Sequence, residues 1–183
     1  MTIVKMAAIV LIEFSNGNIA RAICESTGAV PRTFWSCHNV TREQMESGAT
    51  YVSLMTENLD AVREALDELV SAAEESDVVL LVETSGIYGD TERLTEILDS
   101  YASDYLAALW DVHHPYRDHG ESPSDTIKNL GAYVKHVHMR DSDDDGTYNL
   151  VGEGTMPIDD VVRALASIDY DGFVSLEWKP EWM

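Results

Sequence analysis

A chain of 183 residues with 45% apolar content is long enough to bury a core of its own, so one folded domain is the expectation. Its 33 Asp and Glu against 12 Lys and Arg give a formal net charge of -21, which repels phosphate backbones and argues against a nucleic-acid partner. Cys24 and Cys37 are the only cysteines and form no C-x-x-C, so nothing suggests a disulfide framework, a cysteine-rich zinc site is excluded by count, and a reducing cytoplasm is the simpler setting.

Lysine is confined to Lys5, Lys128, Lys135 and Lys179, while acid is spread along the whole chain. Such a surface resembles that of salt-adapted proteins, whose self-repulsion is relieved by screening; an acidic mesophilic enzyme is the alternative reading. No apolar run approaches the length of a membrane-spanning helix, so no membrane partner is expected. Residues 6–12 are apolar behind Lys5, but Glu13 interrupts them and no small-residue cleavage site follows; they read as part of a strand over 3–14 rather than a signal sequence.

Asn16 and Gly17 break that strand, and residues 19–26 suit a short helix ending at Gly28. Residues 31–39 (PRTFWSCHN) mix aromatics with Cys37 and His38 and read as structural rather than ligating. A strand is predicted over 50–55 and a helix over 58–75, with Leu59, Val62, Leu66, Leu69 and Val70 as its apolar stripe. The run 78–83 (VVLLVE) is a buried strand ending on Glu83; 84–86 turns the chain, and 91–101 is a helix with Leu94, Ile97 and Leu98 inward. Residues 105–111 (YLAALWD) end on Asp111, and a polar, His-rich loop follows over 112–121. Ser122 as N-cap, Pro123 at the first helical position and Asp125 in the first turn start a short helix that stops near Leu130. The strand 133–141 (YVKHVHMRD) carries His136 and His138 at i and i+2, on one face. An acidic loop over 141–146, a helix over 157–168 with Ile158, Val161, Val162 and Leu165 inward, a turn at 170–172 and a strand 173–177 (FVSLE) complete the chain.

Four of these strands finish on a residue able to ligate a metal: Glu83, Asp111, His138 and Glu177, separated by 28, 27 and 39 residues. Those steps are about one strand, one helix and two loops each, the period of a β/α repeat. Parallel strands joined by helices place their carboxyl ends on one side, where distant residues converge. One charged residue at a strand end can simply mark where the chain leaves the core; four in succession, all of ligating type, point to a shared site. The inventory is about six strands and five helices, α/β throughout, with residues 1–183 forming one domain of (β/α) TIM-barrel type. A full eightfold barrel takes about 250 residues, so the expectation is an incomplete barrel: the last strands of a (β/α)8 barrel, with the first strands missing or supplied by another subunit. Open sheet edges of this kind invite a homo-oligomer that covers them.

From about residue 79 onward, the segments LLVETSGIYGDTERL, DVHHPYRDHGESPSDTIKNLGAYVKHVHMRDS, LVGEGTMPIDDVV and YDGFVSLEWKPEW resemble the sugar phosphate isomerase/epimerase group of the xylose-isomerase-like TIM barrels. The resemblance implies that Glu83, Asp111, His138 and Glu177 hold a divalent metal, the same four residues that the strand ends nominate. It also implies that His114, in the Asp-x-x-His formed with Asp111, touches substrate, and it favours Mn2+. His136, one layer deeper, is read as packing or support for His138. Two departures matter: the barrel's first strands have no recognisable counterpart, and the arginine that some ketose epimerases place six residues beyond the metal His is Asp144 here, while Arg140 lies two beyond.

Three carboxylates and one imidazole form a hard site that suits Mn2+ or Mg2+, with Co2+ or Zn2+ as further candidates. Such an ion, chelating the carbonyl and adjacent hydroxyl of a small carbohydrate, stabilises the enediolate formed on proton loss. Glu83 and Glu177 are then the catalytic pair, removing a proton on one face and returning it on the other. The expected activity is a sugar or sugar phosphate isomerase or epimerase, with Arg140 or Lys179 as a candidate phosphate contact; an ion pair of Arg140 with Asp141 or Glu153 is the competing reading for Arg140. Three further alternatives stand beside it. One is a sugar or inosose dehydratase on the same scaffold, another a truncated, non-catalytic metal-binding remnant. The third is an endonuclease of the DNA-repair branch, against which the net charge speaks.

Overall fold

The computed structural model describes residues 51–52, 59–77 and 79–177. The predicted strand over 3–14, the helix over 19–26 with Cys24, the segment 31–39 with Cys37 and His38, and Lys179 lie outside these residues. A five-stranded parallel sheet runs in the order β1 (Tyr51–Val52), β2 (Leu80–Glu83), β3 (Leu106–Asp111), β4 (Val134–Met139) and β7 (Val174–Leu176). Every neighbouring pair is parallel. Parallel neighbours need a crossover, and helices provide it: α1 (Leu59–Ser76) precedes β2, α2 (Thr91–Tyr101) precedes β3, and α3 (His113–His119) with α4 (Pro123–Leu130) precedes β4. Between β4 and β7 lie a two-stranded antiparallel hairpin, β5 (Asp141–Ser142) with β6 (Tyr148–Asn149), and α5 (Ile158–Ser167).

Side-chain alternation gives the sheet two distinct faces. Leu80 and Val82, Leu106, Ala108 and Trp110, Val137 and Met139, and Val174 pack into one core with Val62, Leu66, Leu69 and Val70 of α1, Leu94, Ile97 and Leu98 of α2, and Val161, Ala164 and Leu165 of α5. The opposite face carries a small apolar cluster, Leu81, Ala107 and Leu109. At the carboxyl ends of the same strands, and at alternate positions, stand Glu83, Asp111, His138 and Glu177. The apolar stripes predicted for α1 and α2 therefore sit where expected, apart from Leu59, whose side chain is outside the described set. Val162 does not: it is 47% exposed, and Ala164 takes the inward position on α5.

The helix predicted to start at Ser122 does so, with the Ser122 hydroxyl accepting the Asp125 N–H at 3.2 Å and Pro123 in the first turn. The segment 112–121, expected as a loop, contains helix α3. Its third residue, Pro115, has no N–H, a loss that costs nothing in a first turn where donors have no intrahelical partner. Gly120, at φ +66, ends it by returning its N–H to Tyr116 O. The acidic segment after residue 141 is likewise more ordered than a plain loop, since Gly146 (φ +86) turns β5 back onto β6.

Candidate metal centre

Strand register brings the four strand-end residues together. Asp111 is paired across the ladder with His138, His138 with Ser175, and Glu83 with Leu109. Glu177 lies one step past the β4–β7 register, its N–H bonded to Met139 O at 3.0 Å. One ligand atom from each of Glu83, Asp111, His138 and Glu177 lies within 4.8 Å of the others. One imidazole nitrogen lies near two carboxylates, with His138 Nδ1 at 3.6 Å from Glu83 Oε1 and 3.7 Å from Glu177 Oε2. Glu83, Asp111 and His138 are buried and Glu177 nearly so.

The surroundings fix these groups from behind. The Thr84 hydroxyl donates to Asp111 O at 3.0 Å and accepts the Asp111 N–H at 2.9 Å, stapling the end of β3 to the turn after β2. Asp111 Oδ1 accepts the His113 N–H at 2.9 Å. One layer below, His136 Nε2 meets the Ser175 hydroxyl at 2.8 Å, and the His136 ring stands edge-on to that of His138 at 5.3 Å. His136 thus occupies the deeper, supporting place expected of it.

Arg140 lies two residues beyond His138 on the same face and turns inward. The ion pair with Asp141 or Glu153 weighed from the sequence does not form. The guanidinium instead engages both oxygens of Asp111, with Nη2 against Oδ2 and Nε at 3.2 Å from Oδ1, and Nε lies 3.6 Å from Glu177 Oε2. Its Nη2 is also 2.7 Å from His114 Nε2, while His114 Nδ1 meets Asp118 at 2.7 Å. His114 is one-quarter exposed and faces the mouth of the site.

Three further groups were not legible as part of this region. Arg117 donates to the Ser142 hydroxyl (3.0 Å) and carbonyl (2.6 Å), Thr155 (2.7 Å) and Asp144 (2.8 Å), so the Asp144 that departs from the epimerase pattern is the partner of an arginine from α3. Asp141, 1% exposed, accepts four backbone N–H groups: Ser142 (2.8 Å) and Met156 (3.1 Å) at Oδ1, Gly152 (2.8 Å) and Gly154 (3.1 Å) at Oδ2. His113 bonds the Ser142 hydroxyl at 3.0 Å and lies over Tyr148, ring centroids 5.2 Å apart. The only sequence hints were the Pro115 and Gly120 that frame α3 and the Gly-x-Gly at 152–154.

Electrostatics separates the carboxylates. Burial alone would raise the Asp111 carboxyl, but the Arg140 charge first, then His114 and His138, hold it well below the ordinary carboxylate range. Burial lifts Glu177 above its ordinary value, with the Asp111 and Glu83 charges adding to the rise and Arg140 and His138 opposing it. Burial likewise drives the His113 imidazole down to about 4, helped by Arg140, so it is neutral at pH 7.

The donor set fits a divalent cation. Three carboxylate oxygens and one imidazole nitrogen form a mainly hard, oxygen-rich donor set of the type such ions take. Glu177 Oε2 is buried and makes no hydrogen bond among the described residues, as expected of a ligand atom facing its ion.

A family model described as xylose isomerase-like TIM barrel matches residues 23–182. An uncharacterised protein of Methanocaldococcus jannaschii is 31% identical over 143 residues, covering 73% of this chain and 47% of that protein. Fructoselysine 3-epimerase of Escherichia coli O157:H7 is 28% identical over 120 residues, covering 62% of this chain and 43% of the enzyme. The chain spans about half the length of the curated relatives it matches. Among solved structures, a D-tagatose 3-epimerase-like protein superposes with a TM-score of 0.68 at 19% identity, covering 88% of this chain and 76% of that one. The 3-keto-D-glucoside 4-epimerase of E. coli gives 0.64 at 16%, covering 88% and 78%. The probable 3-DHS dehydratase of Bacillus anthracis gives 0.64 at 16%, covering 88% and 75%. These likenesses show the fold.

Proposed function

Because this chain belongs to the xylose isomerase-like TIM barrel family, we propose that it is a divalent-metal-dependent isomerase or epimerase of a sugar or sugar phosphate, with Glu83, Asp111, His138 and Glu177 as metal ligands. The observation that carries the proposal is the meeting of these four side chains, from four strands, at one end of a parallel sheet, with two carboxylates at 3.6 and 3.7 Å from one imidazole nitrogen. A bound divalent ion, Mn2+ or Mg2+ before Co2+ or Zn2+, supplies a Lewis acid that polarises a substrate carbonyl.

The protein's own residues do the rest. Glu83 and Glu177 come from different strands and both reach His138 Nδ1, and they are assigned the two proton transfers: one removes the proton from the carbon beside the carbonyl and the other returns it from the opposite face. Proton transfer of this kind is worth about 10²- to 10⁴-fold. Burial lifts the Glu177 carboxyl above its ordinary value, which makes it a stronger base than an exposed carboxylate, and Glu177 is assigned the proton-accepting role. Asp111, held ionised by Arg140, serves as a ligand and not as an acid. His114, at the mouth, orients a substrate oxygen, and the edge of Arg140 beside it at 2.7 Å supplies a second donor to the same oxygen or to a phosphate.

The wider assignments follow the same reading. Among the described residues no helix is long and apolar enough to cross a membrane, and a cytoplasmic setting agrees with the cysteine usage. The charge of -21 favours work at high salt. The described sheet ends at β1 and β7, and a second copy covering these edges would complete the wall of the barrel.

The test is Glu177→Gln. Assayed with Mn2+ on a panel of ketoses, aldoses and their phosphates at low and high salt, the variant should retain its circular dichroism and lose turnover. Retained turnover removes Glu177 from catalysis; a product one water lighter than its substrate replaces the isomerase with a dehydratase.

A further inference from the structure

We propose that the Arg140 guanidinium is a built-in counter-cation of the carboxylate cluster, competing with the divalent ion for Asp111 and Glu177 and thereby setting the affinity of the site; this rests on the metal-centre reading above. Glu83, Asp111 and Glu177 crowd three negative charges around one imidazole, and Asp111 is fully shielded from water. Buried charges of one sign need a compensating cation. Arg140, with a side chain 7% exposed, is placed to be one: it engages both oxygens of Asp111 and lies 3.6 Å from Glu177 Oε2, so it touches two of the four candidate ligands.

An ion held by Asp111 would share that carboxylate with the guanidinium, and the two cations would repel at close range in a medium that screens poorly. The competition does not extend to the shape of the site. Asp111 keeps the His113 N–H on Oδ1, and its backbone stays pinned by the Thr84 hydroxyl, so its carboxylate remains oriented without Arg140. The guanidinium also has somewhere to move as an ion enters, with the Tyr148 ring centroid 5.8 Å from Cζ and His114 Nε2 2.7 Å from Nη2. With Arg140 the three carboxylates carry a net charge of -2, which one divalent ion neutralises; without it the pull on the ion is stronger.

The experiment is calorimetric titration of Mn2+ into the chelator-treated full chain, its Arg140→Gln variant and its Arg140→Lys variant at one pH and ionic strength, with thermal unfolding of each before and after loading. The expected result is one ion per chain, bound about tenfold more tightly by Arg140→Gln than by the native protein. Metal-free Arg140→Gln should melt below the native protein and gain more from Mn2+. Arg140→Lys, whose point charge cannot span both Asp111 oxygens, should fall between the two. Equal or weaker binding by a folded Arg140→Gln overturns the proposal; if that variant does not fold, equal or weaker binding by Arg140→Lys does so. Native binding with no gain in the variants contradicts the counter-cation alone, whereas no binding by any of the three contradicts the metal centre and the proposal with it.

Discussion

Replacing Asp141 should unfasten the loop that closes one side of the site. Its carboxylate is 1% exposed and accepts four backbone N–H groups at 2.8–3.1 Å. Hydrogen bonds to a charged group contribute about 1.5–3 kcal/mol each, which sets an upper bound of roughly 6–12 kcal/mol for Asp141→Ala. The true loss is smaller, because Gly152 lies on an exposed turn and Gly154 is only half-buried, so both can turn their N–H groups to water. The Ser142 and Met156 amides belong to buried residues and cannot. Two stranded amides plus part of the other two give about 3–5 kcal/mol, a large share of the ~5–15 kcal/mol that holds a typical domain. Urea unfolding followed by circular dichroism reads this as a lower midpoint at unchanged slope. Asp141→Asn is the control for shape. It keeps one oxygen but turns an NH2 toward amides that themselves donate, so its loss should come within about 1 kcal/mol of alanine's. A loss below about 1 kcal/mol for Asp141→Ala would refute the reasoning, since it would mean that the four amides find equivalent partners elsewhere.

Thr84→Val removes a hydroxyl that both donates to and accepts from the Asp111 backbone without changing the side chain's shape. Expected are a loss of about 2 kcal/mol in the same unfolding assay and weaker Mn2+ binding by titration, because Asp111 is then held by fewer bonds. The pH dependence carries the mark of His113. Its imidazole ionises near 6.5 when unfolded and only at about 4 when folded, so the unfolded chain binds the proton more readily between these values. Stability from this residue is therefore complete above about pH 6.5 and declines as pH falls toward 4, by on the order of 3 kcal/mol. Unfolding in the presence of chelator should show a shallower fall over that window for His113→Gln than for the native chain; equal slopes would assign the acid sensitivity to other groups.

What the sequence discloses and what it hides follow from the range of the forces involved. Glu83, Asp111, His138 and Glu177 were legible because each ends an apolar run, and a parallel β/α repeat turns that one-dimensional pattern into a cluster. The start of α4 was legible too, because Ser122, Pro123 and Asp125 act within a single turn. Helix α3 was not, since HHPYRDH has no apolar period and its helical state depends on Pro115, the Gly120 cap and contacts across the site. Val162 was assigned inward on hydrophobicity, yet helical geometry leaves it on the outer side of Val161 and Leu165. The partners of Arg140 and Arg117 lie 25 to 38 residues away, beyond anything local spacing encodes, so the expected Arg140 pairing with Asp141 or Glu153 gave way to Asp111. Asp141 read as one acid among several, and only the fold turns it into the acceptor for four amides.

Equilibrium binding of Mn2+ tests the central claim most directly, measured on the native chain, on His138→Ala and Asp111→Asn, and on Asp159→Asn as a control for the acidic surface. The account predicts one tightly held ion per chain, lost in the first two variants and kept in the third. Several weak ions that respond to Asp159 as much as to His138 would show that the chain merely attracts cations through its net charge, and would contradict a metal centre at the strand ends.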